Sequence, residues 1–95
     1  MSVTGIEDPD TFGSVILYPN PSKGLINLDV ENNLIGKLNV RIFNQSGKKI
    51  FERDFDKNGE KLVQHIDISR ESVGLYVISL YINGQFSSLK FIIEK

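Results

Sequence analysis

Gly74-Leu75-Tyr76-Val77-Ile78-Ser79-Leu80-Tyr81-Ile82-Asn83-Gly84-Gln85 is the stretch that decides the fold. From Leu75 to Ile82 the side chains are apolar on both faces of an extended chain, Ser79 excepted, which is the pattern of a central strand. Asn83-Gly84 then supplies a two-residue hairpin turn of the I′ kind, because both residues tolerate positive φ. The chain returns as Gln85 to Glu94, with Leu89, Phe91 and Ile93 predicted to face the core.

Outward from that hairpin the same period-two pattern repeats. Glu60 to Ile68 sets Leu62, Gln64, Ile66 and Ile68 against Val63, His65 and Asp67, with Gln64 near an edge. Lys37 to Asn44 sets Leu38, Val40 and Ile42 against Asn39, Arg41 and Phe43. Leu25 to Val30 turns Ile26, Leu28 and Val30 to one side, and Ser14 to Tyr18 is the first strand. Gln45-Ser46-Gly47 is a short turn into a strand from Lys48 to Phe55. Lys57-Asn58-Gly59 repeats the Asn-Gly signal, so the fourth and fifth strands are expected to be hairpin partners. Ser69 to Val73 is polar and short, a single turn at most. No segment of helical length carries a 3.6-residue period. Seven short strands with turn signals roughly every 8–12 residues describe an all-β, seven-stranded, two-sheet sandwich.

Ninety-five residues suit one small domain. Residues 14–95 form it, and residues 1–13, with Gly5, Pro9, Gly13 and three acids, read as a linker to something upstream. Eleven basic residues balance twelve acidic ones, so no charge field points to nucleic acid or an anionic membrane. Cysteine is absent, which removes disulfides, thiolate metal sites and cysteine nucleophiles together. No apolar run approaches the roughly 20 residues of a membrane helix. Met1 to Gly5 lacks the basic and apolar regions of a secretory leader, so the chain is expected to be part of a longer protein.

Side chains that could carry chemistry are sparse. His65 is the only histidine. With Asp67 it offers two ligands where a zinc site needs three or four. No Gly-x-Ser-x-Gly elbow occurs, and Ser87-Ser88 lies between apolar residues. Asp54 and Asp56 share a strand face that reads as a charged edge rather than a glycosidase pair. Glu7-Asp8-Pro9-Asp10 lacks a patterned calcium loop. No cofactor and no small-molecule substrate are expected. Phe51 and Phe55, in phase with Arg53, are either an exposed aromatic stripe or ordinary cross-strand packing. The stripe would suit a carbohydrate-binding or adhesive module, the alternative functional reading.

Tyr18-Pro19-Asn20-Pro21-Ser22-Lys23-Gly24 links the first two strands. Each proline fixes its own φ and biases the residue before it toward extended geometry, while Gly24 can take positive φ and redirect the chain. Gly74 permits a second corner. Leu75 and Tyr76 then point to opposite faces, and a buried Tyr76 hydroxyl would need an acceptor. The last strand has a terminal edge that an incoming strand could pair with, near the carboxylate of Lys95.

Taken in order, Gly5-Ile6-Glu7, the aromatic-Pro-Asn-Pro of Tyr18 to Pro21, Gly24, the strand and turn from Val40 to Gly47-Lys48, Gly74-Leu75-Tyr76, and the ending Lys90-Phe91-Ile92-Ile93-Glu94-Lys95 resemble a known family. This is the type A C-terminal sorting domain of bacterial type IX secretion cargo. The resemblance implies an Ig-like sandwich that is a secretion signal and not an enzyme, monomeric, and read by the outer-membrane type IX translocon. It also implies periplasmic transit to the cell surface or medium, and in many relatives removal by a sortase-like peptidase. Carried onto this chain, the sorting motif is Pro19, Asn20, Pro21, Gly24, Gly47, Gly74, Leu75, Tyr76, Lys90, Ile93 and Lys95.

Overall fold

The computed structural model describes residues 12–95. Its strands are β1 (Ser14–Tyr18), β2 (Leu25–Glu31), β3 (Gly36–Phe43), β4 (Lys49–Lys57), β5 (Lys61–Asp67), β6 (Gly74–Ile82) and β7 (Gln85–Ile93). They form a three-stranded sheet, β1-β2-β5, and a four-stranded sheet, β4-β3-β6-β7, in which every neighbouring pair is antiparallel. The predicted two-sheet sandwich is therefore observed, with β6 internal to its sheet as its apolar faces require.

Alternation positions the core. Ile26, Leu28 and Val30 of one sheet and Leu38, Val40, Ile42, Ile78, Leu80 and Ile82 of the other are fully or almost fully buried. Phe91 and Ile93 close the core along β7, and the Phe91 ring stacks on Tyr76 with centroids 5.7 Å apart. Such pairs add to the area they bury because offset rings align complementary charge distributions.

The two Asn-Gly dipeptides diverge. At Asn83-Gly84 both residues have positive φ, 49° and 80°, and β6 and β7 form the predicted hairpin through Ile82 and Gln85. Neither Asn58 nor Gly59 has positive φ among the described residues, and β4 and β5 lie in different sheets. The expected β4–β5 hairpin is thus incorrect: the chain arches from one sheet to the other.

Lys57 supplies the reason. It follows Phe55 on the inward face of β4, and its side chain is 0% exposed. Its ammonium donates to the carbonyl oxygens of Asn32 at 2.9 Å, Leu34 at 2.8 Å and Gly59 at 2.6 Å. Three donors meet three acceptors, so the buried charge has a full set of hydrogen bonds. The Gly59 bond bends the chain over the end of the sandwich, and the other two pin the β2–β3 connection beside it. Burial pushes the Lys57 pKa down, while Glu60 and Glu31 oppose the shift.

Phe12 was grouped with the linker by its neighbours in sequence, yet it is only 6% exposed and joins the core. Its carbonyl accepts a hydrogen bond from Asn32 Nδ2 at 2.7 Å. The compact body among the described residues therefore reaches Phe12. The Gly5-Ile6-Glu7 and Glu7-Asp8-Pro9-Asp10 readings lie outside the described residues.

Candidate functional site

The corner after β1 crosses between the sheets. Both X-Pro bonds, Tyr18-Pro19 and Asn20-Pro21, are cis, and the chain then runs beside the last residues of β7. Ser22 forms a parallel bridge with Ile93. Its N–H donates to the Ile92 carbonyl at 3.0 Å, and its own carbonyl accepts from the Glu94 N–H at 2.8 Å. The Asn20 side-chain oxygen accepts from the Ile92 N–H at 3.0 Å. The terminal edge of β7, expected to be open, is already covered here by residues 20–22.

Gly24 ties the same corner to the other sheet. Its carbonyl accepts from the Ile68 N–H at 2.8 Å, and its N–H donates to Ser22 Oγ at 3.1 Å. A Cβ at this position would lie 2.4 Å from Ser69 Cα, and φ is +112°. Both the approach and the backbone conformation require glycine. Ser22, at 3% exposure, is a site residue the sequence reading missed; a serine two residues before an N–H that its hydroxyl can accept is the local signal.

Lys95 completes this end. Its ammonium donates to the carbonyls of Ser69 at 2.7 Å and Glu71 at 2.8 Å, holding the turn between β5 and β6 against the last residues of the chain. That turn is a single one, closed by the Glu71 N–H donating to the Ile68 carbonyl at 3.0 Å. Asp67 caps it, accepting from the Ser69 N–H at 2.9 Å and Ser69 Oγ at 2.6 Å, and these bonds lower the Asp67 pKa. Tyr76 is buried and finds the acceptor it needs: its hydroxyl donates to the Ser72 carbonyl at 2.6 Å, and burial raises its pKa.

Leu75 and Ile92, paired across β6 and β7, are exposed on the outer face. Gln45 and Ser46 of the β3–β4 turn and residues 71–76 line a cleft of about 230 Å³. Gly47 sits in that turn, its N–H donating to the Asn44 carbonyl at 2.9 Å. The structure thus gathers Pro19, Asn20, Pro21, Gly24, Gly47, Gly74, Leu75, Tyr76, Ile93 and Lys95 at one end of the sandwich. Lys90 stands apart, exposed on β7 opposite Val77.

The remaining candidates fall elsewhere. His65 is exposed and hydrogen-bonds through Nδ1 to Asn27 Oδ1. Asp54 accepts from Asn39 Nδ2 at 2.9 Å. Beside it Glu52 bonds Lys49, Asn39 and Arg41, which lowers its pKa to about 2, the Lys49 bond contributing most. This is a charged, solvated edge. Phe55 is buried and Phe51 half-buried beneath Arg53, whose guanidinium carbon lies 5.5 Å from the ring centroid; packing accounts for both. The exposed aromatic pair is instead Tyr81 and Phe86, with centroids 5.1 Å apart.

Two antiparallel sheets whose strand ends are tied together by the corner after β1 and the end of β7 define a small β-sandwich domain. Residues 16–94 match the secretion system C-terminal sorting domain, and the chain belongs to that family. The family is not an enzyme family; it carries the sorting signals of type IX secretion. Membership implies interaction with the type IX machinery and a protein exported to the cell surface or extracellular space. No curated protein matches the chain.

Proposed function

We propose that the end formed by Asn20, Ser22, Gly24, Gly74 to Tyr76 and Lys95 is the surface that the outer-membrane type IX translocon reads as the cargo passes through the periplasm. One observation carries this reading: the side chain of the motif residue Asn20 accepts a hydrogen bond from the backbone of Ile92, in the last strand some seventy positions away. The address is then a folded surface, not a linear peptide. A sortase-like peptidase would act on the sequence before Phe12, outside the residues that form this surface.

The test is a periplasm-targeted reporter fused to residues 1–95 in a type IX-competent strain. The wild-type fusion is expected at the cell surface or in the medium. The double variant Asn20→Ala, Lys95→Met is expected to stay folded and inside; normal export of that folded variant would remove the reading.

A second reading, glycan binding, is supported by Tyr81 and Phe86, which with Asn39, Arg41 and Ser79 line a shallow groove. Aromatic faces flanked by planar polar groups suit a sugar ring. A glycan array probed with the purified domain, showing no binding sensitive to Phe86→Ala, would discard it.

A further inference from the structure

The two flanks of the sandwich are protected differently. The chain arches directly from β4 to β5, which places these outer strands on one flank. The corner after β1 reaches β7, which places those two on the other. β4 carries Lys49, Glu52, Arg53, Asp54, Asp56 and Lys57. β1 carries no charged residue, and β7 carries one, Lys90. Charge along an outer strand is a common way to prevent another strand from pairing with it. The β1/β7 flank largely lacks that protection.

Only part of the β7 edge is free. In an antiparallel pair alternate residues direct their backbone groups to the partner, and the Ile82–Gln85 hairpin pair assigns Gln85, Ser87, Leu89, Phe91 and Ile93 to β6. Ile92 and Glu94 accordingly bond outward, to Asn20 and Ser22. Phe86, Ser88 and Lys90 direct their N–H and C=O groups the same way, and no backbone partner meets them among the described residues. Among the described residues, the edge already accepts an extended segment over its last residues and is bare over the preceding ones.

The side chains beside the bare portion suit a strand. Leu89 on β7 and Val15 and Leu17 on β1 are only partly buried against the core. On the outer face Phe86 is 72% exposed. An added strand with apolar residues at alternate positions would cover Leu89 on one side and extend the Phe86–Tyr81 pair on the other.

We propose that an extended strand of a type IX machinery protein adds to β7 along Phe86, Ser88 and Lys90, stopping where Ser22 begins. This rests on the sorting reading and names a contact for it: main-chain pairing along one flank, continuous with the motif end.

Ser88→Pro tests it, because this proline removes only an outward N–H and sets its ring on the edge, a position where strands tolerate proline. Leu89→Lys is the second variant, placing an inward-leaning charge on the same edge. Each is examined as the purified chain, by thermal melting and sedimentation, and as the reporter fusion. The expected result is a retained melting transition for at least one variant, with its exported fraction lowered at least about tenfold. Folded variants exported like wild type would overturn the proposal. A wild-type chain that sediments as a dimer while Ser88→Pro is monomeric would also overturn it, since the occupant would be a second copy. A wild-type fusion that stays inside would overturn the sorting reading and this contact together.

Discussion

The sandwich has a lysine at each end doing similar chemistry in different surroundings. At one end the Lys57 ammonium gathers the carbonyls of Asn32, Leu34 and Gly59 and is sealed from water. At the other, Lys95 gathers those of Ser69 and Glu71 in the open. A sealed ammonium cannot exchange its partners for solvent, so its bonds belong to the stability of the fold. An exposed one trades protein carbonyls for water at little cost. Those bonds arrange a surface that a partner can rearrange. Burial, more than the bonding group, separates the structural end from the end proposed to be read.

The largest expected effect breaks the comparison if it fails. Lys57→Met keeps much of the side-chain volume but leaves three carbonyls without their donor in a closed space, and should cost about 3 kcal/mol in urea unfolding. Lys95→Met should leave the urea midpoint within experimental scatter. Equal losses would mean that burial is not what distinguishes the two ends.

Gly24→Ala comes next, at about 2 kcal/mol, since the new methyl meets Ser69 and the backbone is held at positive φ. Differential melting reads this directly, and a value near zero would show that the corner relaxes without loss.

The smallest effect is a local pH dependence at the Lys95 end. The folded Asp67 pKa lies below its ordinary 3.8, so the bonds to Ser69 contribute above that value and are lost as pH falls through the folded value. Lys57 stays charged throughout this acid range. Hydrogen exchange at the Ser69 amide should therefore accelerate on acidification, relative to amides near Asn32, and Asp67→Asn should abolish the difference. Equal acceleration at both ends would assign the effect to global unfolding.

Much of this architecture was legible in the residues because period two, on a half-buried strand, translates directly into a buried face. Ile26-Asn27-Leu28-Asp29-Val30 could be placed with no knowledge of its neighbours, and Tyr76 declared its need for an acceptor by being a tyrosine on the apolar side. The Lys57 arch was harder. Lys57 shares parity with Phe55, but the sequence leaves that face open between an exposed stripe and packing, its charge and the Asn-Gly beside it argue for a surface turn, and only the carbonyls of a distant loop reverse that balance. Phe12 was masked in the same way by its Gly-, Pro- and acid-rich surroundings. Proline and glycine marked the corner, yet the pairing of Ser22 with Ile93 depends on a register between segments at opposite ends of the sequence, which local pattern does not encode.

The parallel bridge between Ser22 and Ile93 also has a mechanical meaning. β1 and β7 run in the same direction, Phe12 lies at the Lys57 end, and Lys95 lies at the other. Tension between a tethered partner upstream and a grip on the last residues would draw these two segments past each other lengthwise. The Ser22–Ile92 and Glu94–Ser22 hydrogen bonds then bear the load together, in shear, instead of opening one after another like a zip. Under such a load this corner would hold the two segments in register.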